Sequence, residues 1–573
     1  FEPVKEKLPP VITIYDPACG SGGMLTESQN FIKDEEGEIR AKGDVYLYGK
    51  EINDETYAIC KSDMMIKGNN PENIRVGSTL ATDEFAGTKF DFMLSNPPYG
   101  KSWASDQKYI KDGKEVIDPR FKVVLKDYWG NEEQVDATPR SSDGQLLFLM
   151  EMVNKMKPLS QSMLGTRIAS VHNGSSLFTG DAGGGESNIR RYIIENDWLE
   201  AIIQMPNNLF YNTGITTYVW VLSNNKSKER KGKVQLIEAS LLYRKLRKNL
   251  GNKNCEFTPE NIREIVEVYK KLQTVERKIN EQTKEDEGIA SKIFDNADFG
   301  YYKVTIERPK RLKAQFTAER IAELRFDKYL REPMQWAWQN WGEKVYTEID
   351  IHEKEIADWC EKSGLDLNAK QIKSVANPAL WKKQKALMET AGQLMKTIGT
   401  GEYKDFNLFR KKADETMKQE GIKLSATEKN AILNAVSWYD ETAEKVVKGT
   451  TKFTPAELKE LTEHLSCTES ELPDYGYYPS GKKGEYLQYE TESDLRDTEN
   501  VPLKENIYSY FLQEVKPHVA EAWVNLDATQ IGYEISFNKY FYRPKPLRSV
   551  EEISEEILAL EGEGLIREIL NLV

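Results

Sequence analysis

Short apolar runs alternate with helical stretches through the first 225 residues, and this alternation constrains the fold more than any other feature. An apolar run of a few residues, bounded by turn residues and followed by a helix-length segment, is typical of a strand in a parallel sheet. The predicted strands are Val11–Tyr15, Val45–Gly49, Ile74–Val76, Phe90–Ser95, Ile168–His172, Leu199–Gln204 and Tyr218–Leu222. The sequence therefore predicts an α/β fold in which helices cover a largely parallel sheet.

A glycine-rich loop joins the first predicted strand to a helix that begins near Met24. The loop reads Asp16-Pro17-Ala18-Cys19-Gly20-Ser21-Gly22-Gly23. Glycines at such a corner allow a tight turn and let a ligand approach the backbone closely, at the carboxyl ends of the strands. The loop lacks the full G-x-G-x-x-G of a dinucleotide site, and Glu51, after the second strand, is placed to accept hydrogen bonds from ribose hydroxyls. Both features favour S-adenosylmethionine over a dinucleotide as the ligand.

The tetrapeptide Asn96-Pro97-Pro98-Tyr99 directly follows the fourth predicted strand. Two consecutive prolines end a strand and form a rigid loop at its tip, because proline donates no ladder hydrogen bond and has a restricted φ. A planar amino or amide nitrogen is a poor nucleophile, since its lone pair is delocalised. The Asn96 side-chain oxygen and the Pro97 carbonyl can accept its two N–H groups, and Tyr99 offers a stacking face. The tetrapeptide predicts methylation of such a nitrogen by positioning and electrostatics.

The glycine loop and the tetrapeptide together resemble those of the adenine-N6 DNA methyltransferases that form the modification (M) subunit of type I restriction-modification systems. The blocks that carry this resemblance are Asp16–Leu25, Asn96–Trp103, Asp143–Leu149, Arg167–Phe178, Leu199–Leu222, Asp298–Leu312 and Gly532–Tyr542. They touch both ends of the chain and leave a less recognisable middle from about Leu330 to Cys467.

The resemblance implies a class I S-adenosylmethionine-dependent methyltransferase, with a doubly wound, Rossmann-like mixed sheet and a mainly helical C-terminal region. It implies that S-adenosyl-L-methionine donates the methyl group, that an adenine flipped out of double-stranded DNA accepts it, and that Asn96–Tyr99 is catalytic. The residues assigned to the donor are Asp16, Ala18, Gly20, Gly22, Gly23, Glu51, Ser78 and Asn96. The implied partners are a specificity (S) subunit that carries target recognition, a second M subunit and a restriction (R) subunit.

Three departures from the family pattern qualify these expectations. The family has a helical N-terminal domain and a T-P segment before the cofactor loop, whereas Asp16 lies close to the start here. We therefore expect the numbering to begin inside a longer natural chain. Relatives often place Asp at the Ser78 position, which makes Ser78 a weaker candidate. The fifth strand ends at His172 where a proline is common, and we interpret His172 as a hydrogen-bonded strand-end residue.

The charge distribution predicts local contact with DNA and reliance on a partner. The chain has 92 acidic and 79 basic side chains, a formal net charge of −13, whereas a protein that binds DNA alone usually has a basic surplus. The segment Lys226–Asn254 reverses this, with ten Lys and Arg against two Glu, although such a run is also typical of a solvated helix face. The predicted DNA contacts are Lys101, Arg244, Lys245, Arg247 and Lys248.

A chain of 573 residues exceeds what one hydrophobic core supports, so we expect several domains. We predict a methyltransferase catalytic domain over 1–225, a basic connecting region over 226–330 and a mainly helical C-terminal region over 331–573. The tail near 530–573 is predicted to serve subunit assembly, although its apolar stripe is also typical of ordinary packing. The stripe consists of Ile553, Ile557, Leu560, Leu565 and Ile569. The sequence leaves open whether the polar segment Lys101–Ser142 is ordered.

Cysteine and histidine usage argues against several other classes of protein. The five cysteines include no C-x-x-C pair, and there are only four histidines. This pattern predicts reduced thiols in a cytoplasmic protein, with neither a disulfide framework nor a metal site. The sequence has no apolar run of about eighteen residues, so a membrane span is not expected.

Three alternative functions remain open from the sequence. A protein-glutamine N5-methyltransferase also uses N-P-P-Y, because an amide nitrogen poses the same lone-pair problem, but such enzymes are compact and lack a long tail. A single-chain DNA adenine methyltransferase would carry its own target-recognition domain within Leu330–Cys467. A scaffold with a vestigial methyltransferase fold is disfavoured by the intact Gly20–Gly23 and Asn96–Tyr99.

Overall fold

The computed structural model describes residues 1–211, 213–279 and 286–542, with five separate residues beyond them: 549, 550, 553, 554 and 557. The chain divides into two compact units. Unit 1 comprises Phe1–Lys303, Pro502–Lys504 and the described residues from Gln530 onward, and unit 2 comprises Val304–Val501 and Glu505–Thr529. Three residues of the predicted apolar stripe, Leu560, Leu565 and Ile569, lie outside the described residues.

Unit 1 is built around a mixed sheet that has nine strands within the described residues. They are β1 (Val11–Asp16), β2 (Asp44–Glu51), β3 (Ile74–Val76), β4 (Phe92–Ser95), β5 (Arg167–Asn173), β6 (Leu199–Gln204), β7 (Thr217–Ser223), β8 (Lys233–Glu238) and β9 (Ala290–Asp295). Their order across the sheet is β9-β8-β6-β7-β5-β4-β1-β2-β3. Strand β7 is antiparallel to β6 and β5, and β9 is antiparallel to β8, while the other neighbours are parallel. This arrangement confirms the predicted class I methyltransferase fold.

Helices cover both faces of the sheet, as a doubly wound fold requires. The longer helices of unit 1 are α1 (Gly23–Lys33), α2 (Asp54–Ile66), α3 (Gln145–Asn154), α4 (Gly185–Glu195) and α5 (Pro259–Lys270). Successive residues of a strand point to opposite faces, so Ile14 packs in a core with α1 and α2, whereas Tyr15 packs in a second core with α3 and α4. Burial on both faces explains why the central strands are nearly continuous apolar runs.

Shorter elements connect these helices and strands. The helices are Gln107–Ile110 and Ser175–Phe178, with 3-10 helices at Glu2–Lys7, Pro71–Asn73, Pro119–Phe121, Lys228–Arg230 and Asn296–Phe299. The two-stranded pairs are Lys111–Asp112 with Glu115–Val116, Lys122–Lys126 with Glu132–Asp136, Arg244–Leu250 with Lys253–Glu256, and Lys278–Ile279 with Asp286–Glu287. The polar segment 101–142 therefore contains two hairpins, and its buried side chains include Trp103 and Phe121.

The region after residue 225 differs from the predicted basic connector. Strands β8 and β9 extend the main sheet, so the predicted boundary at residue 225 falls inside unit 1. The basic run Arg244–Lys248 lies on an exposed hairpin strand instead of a helix face. Helix α5 closes this region, where Ile265 and Val268 pack against Ile237 of β8.

Unit 2 is mainly helical, as predicted for the C-terminal region. Its helices are Ala318–Ala322, Arg331–Trp341, Glu353–Lys362, Ala369–Val375, Pro378–Ile398, Phe406–Gln419, Ala426–Ala435, Pro455–Leu465 and Ile507–Tyr510, with a π-helix at Phe511–Val515. Its 3-10 helices are Glu323–Arg325, Gly342–Tyr346, Ile349–His352, Glu469–Tyr475 and Ser493–Leu495. One small sheet pairs Leu312–Ala314 with Ser437–Tyr439. A second small sheet has three strands, in the order Val447–Lys452, Glu485–Tyr489 and Tyr478–Pro479. One core surrounds the buried Phe316 and Phe409, and a second surrounds the buried Trp381.

The chain passes from unit 1 to unit 2 within the strand Gly300–Glu307 and returns within Trp523–Tyr533. Together with Asp497–Pro502 these strands form a three-stranded sheet. A short helix, Phe537–Phe541, follows. The first part of the predicted assembly tail is therefore part of unit 1, because Ile535 and Phe537 lie in its core. No helix among the described residues is long and apolar enough to cross a membrane.

Candidate active site

The glycine loop turns the chain sharply between β1 and α1. Gly20 and Gly22 have φ angles of 54° and 84°, values that favour glycine. At Gly22 the fit is also steric, since a Cβ atom there would lie 2.8 Å from Cys60 Sγ of the underlying helix α2. Helix α1 begins at Gly23, one residue before the predicted start. The loop therefore needs these glycines for both backbone conformation and close packing.

Glu51 links the glycine loop to the end of β2. One carboxylate oxygen accepts a hydrogen bond from the Gly20 N–H at 3.0 Å, and the other accepts one from the Asn53 N–H at 2.9 Å. The side chain is only partly buried, and it lines a cavity beside the loop. Glu51 can thus hold the loop in place and still offer a carboxylate to a ligand.

Asp16 connects the tips of β1 and β4 from below the cavity. One carboxylate oxygen accepts hydrogen bonds from the Ala18 N–H and the Ser95 hydroxyl, both at 2.9 Å. Burial raises the pKa of Asp16 to about 7, although these hydrogen bonds act in the opposite direction. Asp16 is buried and does not line the cavity. Its place in the structure is that of a support for the two loops.

The tetrapeptide Asn96–Tyr99 forms the loop after β4. Asn96 and Pro98 are exposed and line the cavity, Pro97 is buried, and Tyr99 is partly buried. Burial raises the pKa of the Tyr99 hydroxyl, so the ring is neutral near neutral pH. The Asn96 side chain has no hydrogen-bond partner in the described part of the chain, and its amide oxygen is available to a substrate.

A hydrogen-bond network centred on Asp143 holds the residue that follows this loop. The Asp143 carboxylate accepts from the Gly100 N–H at 3.0 Å, from the Ser175 hydroxyl at 3.0 Å and from the Gln145 side-chain amide at 2.7 Å. The Gln145 side-chain oxygen in turn accepts from the Asn173 N–H at 3.0 Å. The loop is thereby tied to the start of α3 and the end of β5.

The cavity beside the two loops has a volume of about 480 Å³. Six of the predicted site residues line it: Ala18, Glu51, Ser78, Asn96, Pro98 and Lys101. Six others lie outside its lining: Asp16, Gly20, Gly22, Gly23, Pro97 and Tyr99. The structure therefore brings residues predicted to bind S-adenosylmethionine and residues predicted to bind the substrate to one cavity. The other predicted residues lie behind or beside this lining.

Several lining residues were not predicted. Trp103, Phe148 and Leu80 supply apolar surface, and Lys50 is a buried cation whose ammonium group donates to the Thr82 carbonyl at 2.5 Å. Burial lowers the pKa of Lys50 to about 8. Trp103 and Phe148 lie inside sequence blocks that carry the family resemblance, and that was the available signal.

Buried Arg120 anchors the segment 101–142 to the cavity wall. Its guanidinium group donates to the Thr79 carbonyl at 2.8 Å and the Leu80 carbonyl at 3.1 Å, and it pairs with Glu151 at 3.0 Å. The segment therefore shapes the cavity as well as lining it.

Two residues at departures from the family pattern have structural partners. The Ser78 hydroxyl accepts the Ala81 N–H at 3.3 Å, so Ser78 caps a local turn while lining the cavity. His172 is fully buried with Nδ1 3.2 Å from the Gln145 side-chain oxygen. Burial lowers the pKa of His172 to about 3, so the imidazole is neutral near neutral pH. This agrees with its interpretation as a strand-end residue.

The other predicted DNA-contacting residues lie on the hairpin Arg244–Leu250 and Lys253–Glu256. Arg244 forms an ion pair with Glu256. Lys245, Arg247 and Lys248 are exposed and have no ion-pair partner among the described residues. No cluster of three or more His, Cys, Asp or Glu side chains within the described ranges could hold a metal ion.

The sheet order, the glycine loop after β1 and the Asn-Pro-Pro-Tyr loop after β4 define a methyltransferase of class I fold. More specifically, the chain belongs to the N-6 DNA methylase family, which it matches over residues 7–304, or 298 of its 573 residues.

Similar proteins include the type I restriction enzyme MjaVII methylase subunit of Methanocaldococcus jannaschii, 31% identical over 46% of this chain and 41% of that protein. The EcoKI methylase subunit of Escherichia coli is 23% identical over 45% of this chain and 44% of that protein. A solved type I methyltransferase subunit from Streptococcus thermophilus superposes with a TM-score of 0.39 at 23% identity, covering 52% and 54% of the two chains. The chain thus spans less than half the length of these curated relatives.

Proposed function

We propose that this chain transfers a methyl group from S-adenosylmethionine to the N6 amino group of an adenine in DNA, as the modification subunit of a type I restriction-modification complex. The observation that carries the proposal is the cavity shared by Asn96 and Glu51. An acceptor for the target amino group and a carboxylate suited to ribose hydroxyls face one space. Family membership and relatives described as type I methylase subunits support the proposal.

The residues around the cavity fit S-adenosylmethionine. Glu51 offers carboxylate oxygens for the ribose hydroxyls. Ala18, in the glycine loop, lines the edge of the cavity. Leu80 and Phe148 provide apolar surface for a nucleoside base. The volume of about 480 Å³ lies in the usual range for small-molecule sites. When bound, this donor supplies an electrophilic methyl group.

The loop Asn96–Tyr99 prepares the adenine amino group for attack. The Asn96 side-chain oxygen and the Pro97 carbonyl accept its two N–H groups, which localises the nitrogen lone pair. Tyr99 stacks on the base, a contact typically worth about 1–3 kcal/mol. No strong general base is needed, since the nitrogen becomes acidic as it gains the methyl group and releases one proton to water.

DNA reaches this cavity only if the adenine leaves the duplex. Lys101 lines the cavity, and Lys245, Arg247 and Lys248 add positive charge on the exposed hairpin. The chain as a whole is acidic, with a net charge of −13. A specificity subunit supplies target recognition in this proposal, and a second modification subunit and a restriction subunit complete the assembly.

The test is transfer of isotopically labelled methyl groups by the chain co-purified with a specificity subunit. We expect label in N6-methyladenine of DNA, and none with Asn96→Ala. Label in protein glutamine would instead support the glutamine methyltransferase. Site-specific DNA methylation by this chain without a partner would support the single-chain enzyme.

A further inference from the structure

A second cavity in unit 1 opens at the same edge of the sheet as Asn96. Its volume is about 560 Å³, and it lies at the carboxyl ends of β6 and β8, where Gln204 is the last residue of β6. Strands β4, β5, β6 and β8 all end at this edge, because only the intervening β7 runs the other way. Three strand spacings separate β4 from β6, so the ends of these two strands lie about 14 Å apart.

Uncharged hydrogen-bonding groups dominate the lining of this second cavity. The polar lining residues include Gln204, Asn208, Tyr243, Lys245, Asn249 and Asn254. The side-chain amides of Gln204, Asn249 and Asn254 have no hydrogen-bond partner within the described part of the chain. Tyr243 has 38% of its surface exposed, which leaves part of its ring available for stacking.

Hydrogen bonds hold the walls of the second cavity together. The hairpin Arg244–Leu250 and Lys253–Glu256 is hydrogen-bonded to the loop that follows β6. The Asn254 N–H donates to the Asn208 carbonyl at 3.0 Å, and the Asn252 N–H donates to the Tyr211 carbonyl at 3.0 Å. The buried Cys255 thiol donates to the Asn207 carbonyl at 3.2 Å. A preformed site of this kind binds with a reduced ordering cost.

This lining matches the chemistry of a nucleobase better than that of a phosphate. Side-chain amides carry both donors and acceptors and pair with the edges of bases. A phosphate site would gather several cations or backbone N–H groups, whereas Lys245 is the one charged side chain of the lining. A concave site cannot take a base that remains stacked in a duplex, so its ligand is an unpaired base.

We propose that the second cavity binds an unpaired nucleobase of the DNA that delivers the target adenine. This inference rests on the proposed DNA methylation and adds a second point of contact with the substrate. Two bases have the required chemistry: a neighbour of the target on the same strand, and the base left without a partner when the adenine flips. Holding either base would stabilise the opened DNA.

The test compares two single-stranded probes of equal length and charge, oligothymidylate and an abasic oligomer, by fluorescence anisotropy. The full chain carries Asn96→Ala/Tyr99→Ala throughout, so that the first site offers a base neither the amide acceptor nor the stacking ring. We expect oligothymidylate to bind about tenfold more tightly than the abasic probe. The added double variant Asn249→Ala/Asn254→Ala should lose this preference and keep the abasic affinity.

The matched control is the double variant Arg247→Ala/Lys248→Ala, on the same hairpin but outside the cavity lining. It should weaken both probes by the same factor. The proposal would be overturned if the chain that keeps Asn249 and Asn254 bound the two probes equally. It would also be overturned if the preference for oligothymidylate persisted in the Asn249→Ala/Asn254→Ala variant. Methyl transfer by the chain with wild-type Asn96 and Tyr99 is measured separately, so failure of the proposed function is distinguishable from failure of the second site.

Duplexes that contain the mapped methylation site then identify which base is bound. One abasic position is placed either opposite the target adenine or beside it. Loss of the base that the second cavity binds should lower the affinity of the chain that keeps Asn249 and Asn254. The same loss should leave the affinity of the Asn249→Ala/Asn254→Ala variant unchanged. If neither substitution separates the two chains, the second cavity does not bind a base of the substrate.

Discussion

The Asp16 carboxyl group joins the glycine loop after β1 to the last residue of β4. Its accepting oxygen receives both the Ala18 N–H and the Ser95 hydroxyl, and burial raises its pKa from 3.8 to about 7. Between these two pH values the folded chain binds this proton more tightly than the unfolded chain. The contribution of Asp16 to stability is therefore complete below about pH 4 and is lost as the pH rises toward 7.

The variant Asp16→Asn tests this titration. It keeps the oxygen that accepts both hydrogen bonds and removes the ionisable group. We expect its free energy of unfolding to fall less than that of the wild type between pH 4 and pH 7, by an amount on the order of 4 kcal/mol. Denaturant titrations at a series of pH values measure the difference. The exposed Asp112→Asn is the control, and parallel curves for Asp16→Asn and the wild type would contradict the account.

At the scale of elements, the loop after β4 is held by α3 and β5 through Asp143. The carboxylate accepts hydrogen bonds from three residues of unit 1, which are Gly100, Gln145 and Ser175. Asp143 lies outside the lining of the first cavity. It is therefore a positioning residue, because it acts on the substrate only through the loop that presents Asn96.

The substitution Asp143→Asn should loosen this loop without changing the residues that line the first cavity. The new amide N–H group would face the donors of Gln145 or Ser175, with a loss of about 1.5–3 kcal/mol of hydrogen bonding. We expect kcat for methyl transfer to fall by about ten- to a hundred-fold, with the Kd for S-adenosylmethionine unchanged. Ser175→Ala, which removes one of the hydrogen bonds to Asp143 and keeps the one from the Gly100 N–H, should lose less. Equal losses in kcat and donor affinity would indicate a general structural defect.

Strands β1 to β7 could be predicted because each is an apolar run bounded by turn residues or polar segments. Strand β8 was missed since its apolar residues Val234, Leu236 and Ile237 lie within a strongly basic segment. The strand Arg244–Leu250 is exposed along its length, so no alternation of apolar residues marks it. Local pattern therefore identifies a buried strand when its apolar run stands clear of charged neighbours, and it fails for a strand that buries no face.

Local sequence also predicted part of the candidate site. Asn96 directly follows β4 and Glu51 is the last residue of β2, and the parallel sheet brings the ends of these strands to one edge. Trp103 lines the cavity because the segment 101–142 packs against the cavity wall, through contacts such as that of Arg120 with the Leu80 carbonyl. Such long-range contacts have no local signature.

At the scale of the whole molecule, positive charge is concentrated where the proposal needs it. The chain has a net charge of −13, yet Lys226–Asn254 carries ten Lys and Arg against two Glu. Arg247 and Lys248 are exposed there and are not neutralised by an ion pair among the described residues. We therefore expect DNA affinity to depend on this hairpin more than on the total charge.

The double charge reversal Arg247→Glu/Lys248→Glu should weaken DNA binding and flatten its salt dependence. Each lost phosphate contact lowers the slope of log K against log salt by about 0.9. The control, Lys382→Glu/Lys383→Glu, makes the same charge change at exposed positions of unit 2. Binding titrations over a range of salt concentrations separate the two. A slope that changes equally in both variants would assign the effect to net charge.

The most direct test of the account is the N6-methyladenine content of DNA from a host that lacks other adenine methylases. The chain is expressed there with its specificity protein, in wild-type form or as Asn96→Ala. We predict N6-methyladenine at one defined sequence with the wild type and none with the variant, while calorimetry shows equal binding of S-adenosylmethionine to both. Unmethylated DNA with the wild-type complex, or methylation that persists in Asn96→Ala, would contradict the account.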